Sequence, residues 1–138
     1  MPTLVFDAAT MSTGAQSVDD QHKELIRLLN SLMDAMSTGQ GRTEIGSIID
    51  GLARYATTHF SHEEGCMARF NCPILAANKA AHAEFIRTFG AIKAEFDRTG
   101  PSAAIAIRVQ RELSDWIAKH IKAIDVQLKP CIPPGTRA

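Results

Sequence analysis

Four histidines, two acids and one asparagine occupy positions where this sequence otherwise places apolar side chains. His22, His59, His82 and His120 are four of its five histidines. His59 with Glu63, and Asn78 with His82, are i, i+4 pairs. On a helix, members of such a pair lie only about 40° apart and share one face. Asp125 follows His120 by five residues, about 140° away on a regular helix. Both face inward only if the helix loosens there into a π-type turn, or frays toward the prolines that follow. A buried carboxylate is costly unless it is paired or bound to a metal, and no lysine or arginine shares these stripes near the histidine level. Imidazoles and carboxylates together suit iron, zinc, manganese or copper. Two carboxylates with several imidazoles suit a pair of irons, because each carboxylate can bridge two ions and offset part of their charge. No cysteine falls at the histidine level except Cys66 at the stripe edge, which argues against a structural tetrahedral zinc. A lone histidine on an apolar face is ordinarily a hydrogen-bonded core residue. Four of them joined by two inward acids favour metal. His62 reads as a surface or supporting residue, and Cys66 and Cys72 as ordinary thiols.

The elements that must position these groups are helices. Ser17, followed three residues later by Asp20, is a helix start with acids where the dipole favours them. The stripe His22, Leu25, Leu29, Leu32, Met36 then runs toward a break at Gly39-Gln40-Gly41. A second helix spans about Thr43 to Phe70, with Ile45, Leu52, His59, Glu63 and Met67 on one side. Asn71-Cys72-Pro73 ends it. A third spans about Ile74 to Arg98 and carries Asn78, His82, Phe85, Phe89, Ile92 and Phe96. After Thr99-Gly100-Pro101, a fourth spans about Ser102 to Leu128, with Val109, Leu113, Trp116, Ile117, His120 and Ile124. Pro130, Pro133 and Pro134 stop it. No window alternates with a β period. Short connections make neighbouring helices antiparallel, so the fold class is all-α: an up-down-up-down four-helix bundle with an N-terminal arm. The expected organisation is a single domain over 1–138, with an arm at 1–16, the bundle at 17–128 and a tail at 129–138. Leu4, Val5 and Phe6 of the arm are expected to pack onto the core.

Composition bounds the function. The chain has 138 residues, enough to bury a core without disulfide staples. Lys plus Arg and Asp plus Glu are both 15, which gives no basic excess for nucleic acid or an anionic membrane. No apolar run approaches the roughly 20 residues of a membrane span. The first residues carry no basic group before their short apolar piece and do not read as a secretory signal. Cys66, Cys72 and Cys131 are odd in number and fit no framework spacing, which points to reduced thiols in a cytoplasm.

The ordered set Asp20-Gln21-His22, then His59-Phe60-x-x-Glu63-Glu64, then Asn78-x-x-x-His82, then Trp116-x-x-x-His120-Ile121-x-x-x-Asp125 resembles the hemerythrin family, over nearly the whole chain. The resemblance implies a non-haem di-iron site. His22 and His59 map to the ligands of one iron, and His82 and His120 to two of the three histidines on the other. Glu63 and Asp125 map to carboxylates that bridge the two ions beside an oxo or hydroxo group. Dioxygen is then the partner, bound end-on at the two-histidine iron and reduced to hydroperoxide. Leu25, Leu29, Ile121 and Ile124 are expected in the apolar wall of that pocket. Asn78 is the departure, standing where the family has its third histidine on the second iron. It can bind weakly through its oxygen or a water, leave that iron an open position, or reduce the site to one iron or none. The smaller departure is Cys72, where an aromatic residue often precedes the proline.

The expected function is reversible dioxygen binding for storage, delivery or scavenging, by a monomeric, cytoplasmic protein that is not an enzyme. Asn78 motivates the alternatives: a di-iron oxidase or peroxidase, a nitric oxide-reactive protein, an oxygen- or redox-sensing module, or a bundle that has lost its metal.

Overall fold

The computed structural model describes residues 3–138, which form a four-helix bundle with no strand among them. Helix α1 (Ala8–Met11) lies within the arm. Helix α2 (Gln16–Ser37) packs on α3 (Arg42–Arg69), and α3 packs on α4 (Leu75–Thr99). The fourth long stretch is not one regular helix. It runs as α5 (Ala103–Arg108), a π-helical turn at Val109–Ser114, α6 (Asp115–Ala123) and a 3-10 segment at Asp125–Cys131. The predicted stripes meet in one apolar core that includes Leu25, Leu29, Leu32, Ile45, Leu52, Phe85, Ile92, Val109, Leu113 and Ile117.

Three local expectations are corrected. Helix α2 begins at Gln16, and Ser17 does not cap it. Instead Asp19 reaches back: its carboxylate accepts from the Thr13 backbone N–H at 2.9 Å, the Thr13 hydroxyl at 2.8 Å and the Ser12 hydroxyl at 2.8 Å. The acid in the first turn therefore organises the preceding loop as well as meeting the helix dipole. In the arm, Leu4 and Phe6 lie against the core, but Val5 is 69 % exposed. The reason is extended geometry, which turns alternate side chains to opposite sides. The arm is held by Asn30, whose side chain accepts from the Leu4 N–H at 3.0 Å and donates to the Leu4 carbonyl at 2.8 Å.

The third correction concerns cysteine. Cys72 and Cys131 form a disulfide with their Cα atoms 5.5 Å apart, and only Cys66 is a free thiol. Their separation of 59 residues hid the pairing in the sequence. Two local structures bring them together. Helix α3 ends with Asn71 in the left-handed region (φ 51), which Asn tolerates better than most residues. The Cys72 N–H then donates back to Met67 O at 2.9 Å and the Asn71 N–H to Ala68 O at 3.1 Å, a Schellman turn that buries Cys72 against Met67. From the other side, the 3-10 segment carries Cys131 to the same place, with Leu128 buried in that small cluster.

Candidate metal centre

Helices α2, α3, α4 and α6 each contribute one histidine to the middle of the bundle, and the 3-10 segment contributes Asp125. All seven residues singled out in the sequence are buried: His22, His59, Glu63, Asn78, His82, His120 and Asp125, of which His120 is the most exposed at 6 %. Donor atoms from His22, His59, Glu63 and Asp125 lie within 4.8 Å of one another, and so do those from Glu63, His82, His120 and Asp125. The two groups share their carboxylates.

The sharing has a definite geometry. Glu63 turns Oε2 toward the first pair, 3.0 Å from His22 Nε2 and 3.6 Å from His59 Nε2, and Oε1 toward His82 Nε2 at 3.2 Å. Asp125 turns Oδ2 toward His22 Nε2 at 3.1 Å and Oδ1 toward His120 Nε2 at 3.0 Å. Each carboxylate thus presents one oxygen to each half of the site.

Asp125 reaches this position because α6 stops. Its last residue is Ala123, and Ile124 (φ −112, ψ −55) breaks the regular path before the 3-10 segment begins. Of the two routes that five-residue spacing allows, the chain uses the end of the helix. The π-helical turn falls earlier, before Trp116, and shifts the helical register of everything after it.

Neighbouring side chains fix the rings. His59 Nδ1 lies 2.9 Å from Gln21 Oε1, and His82 Nδ1 lies 2.9 Å from Glu64 Oε2. Those oxygens accept only, so each Nδ1 carries the hydrogen and each Nε2 keeps its lone pair for a metal. The His82 ring stacks on Phe60 with centroids 3.9 Å apart, and the His120 ring stacks on Trp116 at 4.5 Å. Gln21, Glu64, Phe60 and Trp116 stand in the motif that carries the family resemblance, and Trp116 also on its helix's apolar stripe, but none was assigned a part in holding a ring. His62 Nε2 lies 2.9 Å from the Ser17 hydroxyl and 3.7 Å from Cys66 Sγ.

The donor set fits metal on a direct observation. Nε2 of His59, His82 and His120, Oδ1 of Asp125 and Oδ1 of Asn78 are all buried without a hydrogen-bond partner. Orphaned buried lone pairs are costly, and a cluster of them is what bound cations satisfy. Asn78 is committed differently from the histidines: its Nδ2 donates to Glu63 Oε1 at 2.7 Å and lies 3.2 Å from Met67 Sδ.

The electrostatics of the metal-free site divide the groups. For Glu63, burial opposes the charge but is outweighed by the facing His22 and His82 rings, and its pKa falls well below the usual range. Asp125 goes the other way, raised by burial and by the Glu63 charge. For His59, burial and then the neighbouring His22 lower the pKa to about 3, so its ring is neutral. Burial also opposes charge on His22, but hydrogen bonds to Asp125 and Glu63 win and raise it from 6.5 to about 9. A metal must therefore displace a proton from His22 below about pH 9. Apparent metal affinity, measured by competition with a chelator and corrected for the chelator's own protonation, is expected to rise nearly tenfold from pH 7 to 8 and to level off as the pH passes about 9. A flat profile would contradict the proton on His22. Stability of the metal-free chain should run oppositely. The His22 contribution is complete below pH 6.5 and fades as the pH rises through about 9.

A four-helix bundle with two carboxylates divided between two imidazole pairs defines a protein able to hold metal in its core. The chain belongs to the hemerythrin family: the Hemerythrin HHE cation binding domain matches residues 13–132. It is 31 % identical over 132 residues to a bacteriohemerythrin of Methylococcus capsulatus, covering 96 % of this chain and 98 % of that protein. It is 25 % identical over 114 residues to a myohemerythrin of Theromyzon tessulatum, covering 83 % and 82 % of the two chains. A crystal structure of wild-type hemerythrin superposes with a TM-score of 0.83 at 30 % identity, over 94 % of this chain and 98 % of that one.

Proposed function

We propose that this chain holds two iron ions and binds dioxygen reversibly through them. The observation that carries the reading is the division of oxygens, with Oε2 of Glu63 and Oδ2 of Asp125 toward His22 and Oε1 and Oδ1 toward His82 and His120. Glu63 and Asp125 would bridge. His22 and His59 would hold one ion and His82 and His120 the other. Bound iron would supply the electrons and the coordination position that dioxygen requires. The protein contributes orientation, through Gln21 and Glu64, and exclusion of water. Leu25, Leu29 and Ile121 are at most 1 % exposed and belong to the core wall, whereas Ile124 is only partly buried. Among the described residues no helix is long and apolar enough to cross a membrane. The cytoplasmic, monomeric placement is part of the reading, but with Cys72 and Cys131 paired its support from reduced thiols shrinks to Cys66.

The test is elemental analysis of anaerobically reconstituted protein, followed by the optical spectrum on adding and then removing oxygen. Two irons per chain and a charge-transfer band that disappears with the oxygen are expected. A centre that only oxidises, without release, would end the carrier reading.

A second reading, oxidase, peroxidase or nitric oxide chemistry, or sensing of these ligands, draws on Asn78. With its amide nitrogen donating to Glu63, Asn78 could offer a metal only the unpartnered Oδ1, and the second ion would have two imidazoles where the family resemblance implies three. Sustained turnover of peroxide with a reductant would favour it over the carrier.

A further inference from the structure

We propose that the Cys72–Cys131 disulfide is a redox-addressable clasp that positions Asp125 and thereby sets how long the site keeps its metal. The inference rests on the dimetal reading of the site. Asp125 is the one expected ligand that no α-helix carries. It opens a seven-residue 3-10 segment that begins after α6 has ended and closes at Cys131. Runs of that length are poorly self-supporting, because 3-10 hydrogen bonds have inferior geometry. The segment leans on α1 and on Gly14, which lies against Lys129, and has two firmer outside anchors. One is Leu128, fully buried with Ala15, Val18 and Met67. The other is the disulfide, whose sulfurs lie against the Gln127 carbonyl oxygen at 3.4 and 3.6 Å. Cys72 is itself held by the Schellman turn of α3 and leads directly into α4, the helix of Asn78 and His82. One covalent bond therefore ties the Asp125 segment to the frame that carries Glu63 on one side and His82 on the other.

The bond can be reached. It lines an open surface pocket of about 380 Å³ together with Pro73, Ile74, Gln127 and Pro130. Cys131 is partly exposed while Cys72 is 4 % exposed, so an incoming thiolate meets the Cys131 sulfur first. With a dithiol reductant, attack on Cys131 Sγ forms a mixed disulfide and releases Cys72, which takes up a proton. The second thiol of the reductant then closes its own ring disulfide and releases Cys131 as a thiol. The reductant is oxidised by two electrons and the protein disulfide is reduced by two. Once the clasp is open, the Asp125 segment keeps Leu128 and its contacts with α1 and Gly14 but has no covalent tie. Because its two oxygens face both imidazole pairs, both ions lose grip together.

Cobalt(II) is the probe, since a disulfide reductant leaves its oxidation state alone. The metal-loaded full chain is mixed with excess chelator, and the decay of the cobalt visible bands is followed before and after treatment with a water-soluble phosphine. The phosphine and water yield phosphine oxide and two protein thiols, without adding thiols that would bind cobalt. Thiol titration should rise from one to three per chain, and circular dichroism should show the fold retained. Release of both equivalents should accelerate about 10–100-fold, the range expected when a ligand loses its supporting contacts. Cys131→Ser should release fast from the outset and ignore the phosphine, while Cys66→Ser should behave as the parent. Leu128→Ala, which loosens the same segment with the bond intact, should also speed both phases. Unchanged release with three thiols titrated overturns the clasp, and so does outright unfolding on reduction, which would make the bond a simple staple. Failure of the oxidised chain to take up cobalt would instead overturn the dimetal reading.

Discussion

Glu63→Gln is expected to remove both metal ions, not one. The carboxylate puts Oε2 3.0 Å from His22 Nε2 and Oε1 3.2 Å from His82 Nε2, so a single neutral amide weakens both halves. An amide also brings an N–H into a cluster whose other members are waiting lone pairs. Loss of a mere supporting contact to a ligand costs about 10–100-fold in metal affinity, and removal of a shared ligand should exceed that at each ion. The metal-dependent stabilisation should collapse accordingly, by more than about 2.7 kcal/mol for a hundredfold loss. The metal-free protein should change far less. Removing one partner of a buried charge pair ordinarily costs about 3–5 kcal/mol. Here Asp125 Oδ2, 3.1 Å from His22 Nε2, can take over the charge once Glu63 no longer raises its pKa. Metal per chain and paired melting curves, with and without metal, check both halves. Retention of one full equivalent would show that the carboxylate is not shared.

Asn78→His is the second large effect, and it should act on one ion only. In the parent chain Asn78 Nδ2 donates to Glu63 Oε1, and the second ion would rely on His82, His120 and the two carboxylates. Release of the parent's two equivalents into chelator should be biphasic, with the ion on the His82 side leaving first. An added imidazole should slow that phase by about 10–100-fold and bring the two together. The flexible Met67 side chain, 3.2 Å from Asn78 Nδ2, is the group that must yield to the larger ring. Asn78→Ala supplies the contrast: it deletes the donor to Glu63 without offering a ligand, and should loosen both ions through the shared carboxylate. If all three chains release metal alike, Asn78 neither positions nor binds. The pattern also separates it from the disulfide, whose opening should speed both phases.

The site was legible in the sequence where one helix sufficed. His59 and Glu63, like Asn78 and His82, stand four residues apart, and helical periodicity alone puts each pair on one face among apolar neighbours. The same periodicity marked His22 and His120 as polar residues on otherwise apolar stripes. Asp125 was readable only as a problem of angle. Whether five residues bring it back inward depends on where the helix ends, and that is decided by packing of the segment around Leu128 and Cys131. Gln21 and Glu64 were visible beside the histidines and acids, yet their roles need a partner helix at a particular height. The disulfide lay beyond local pattern altogether.

By itself, then, the sequence determined four amphipathic helices, one histidine on each apolar stripe, an acid one turn from His59, and an asparagine one turn before His82. These follow from spacing along the chain, and the 3.6-residue turn converts spacing directly into a shared face; that an imidazole is missing at Asn78 is what the family resemblance implies. Only the tertiary structure decided that Glu63 and Asp125 each divide their oxygens between two histidine pairs, that Gln21 and Glu64 leave the Nε2 lone pairs free, and that Cys72 meets Cys131 across 59 residues. Those contacts join elements distant in sequence. Their distances are set by how the helices pack and where they stop, which no single stretch of chain encodes.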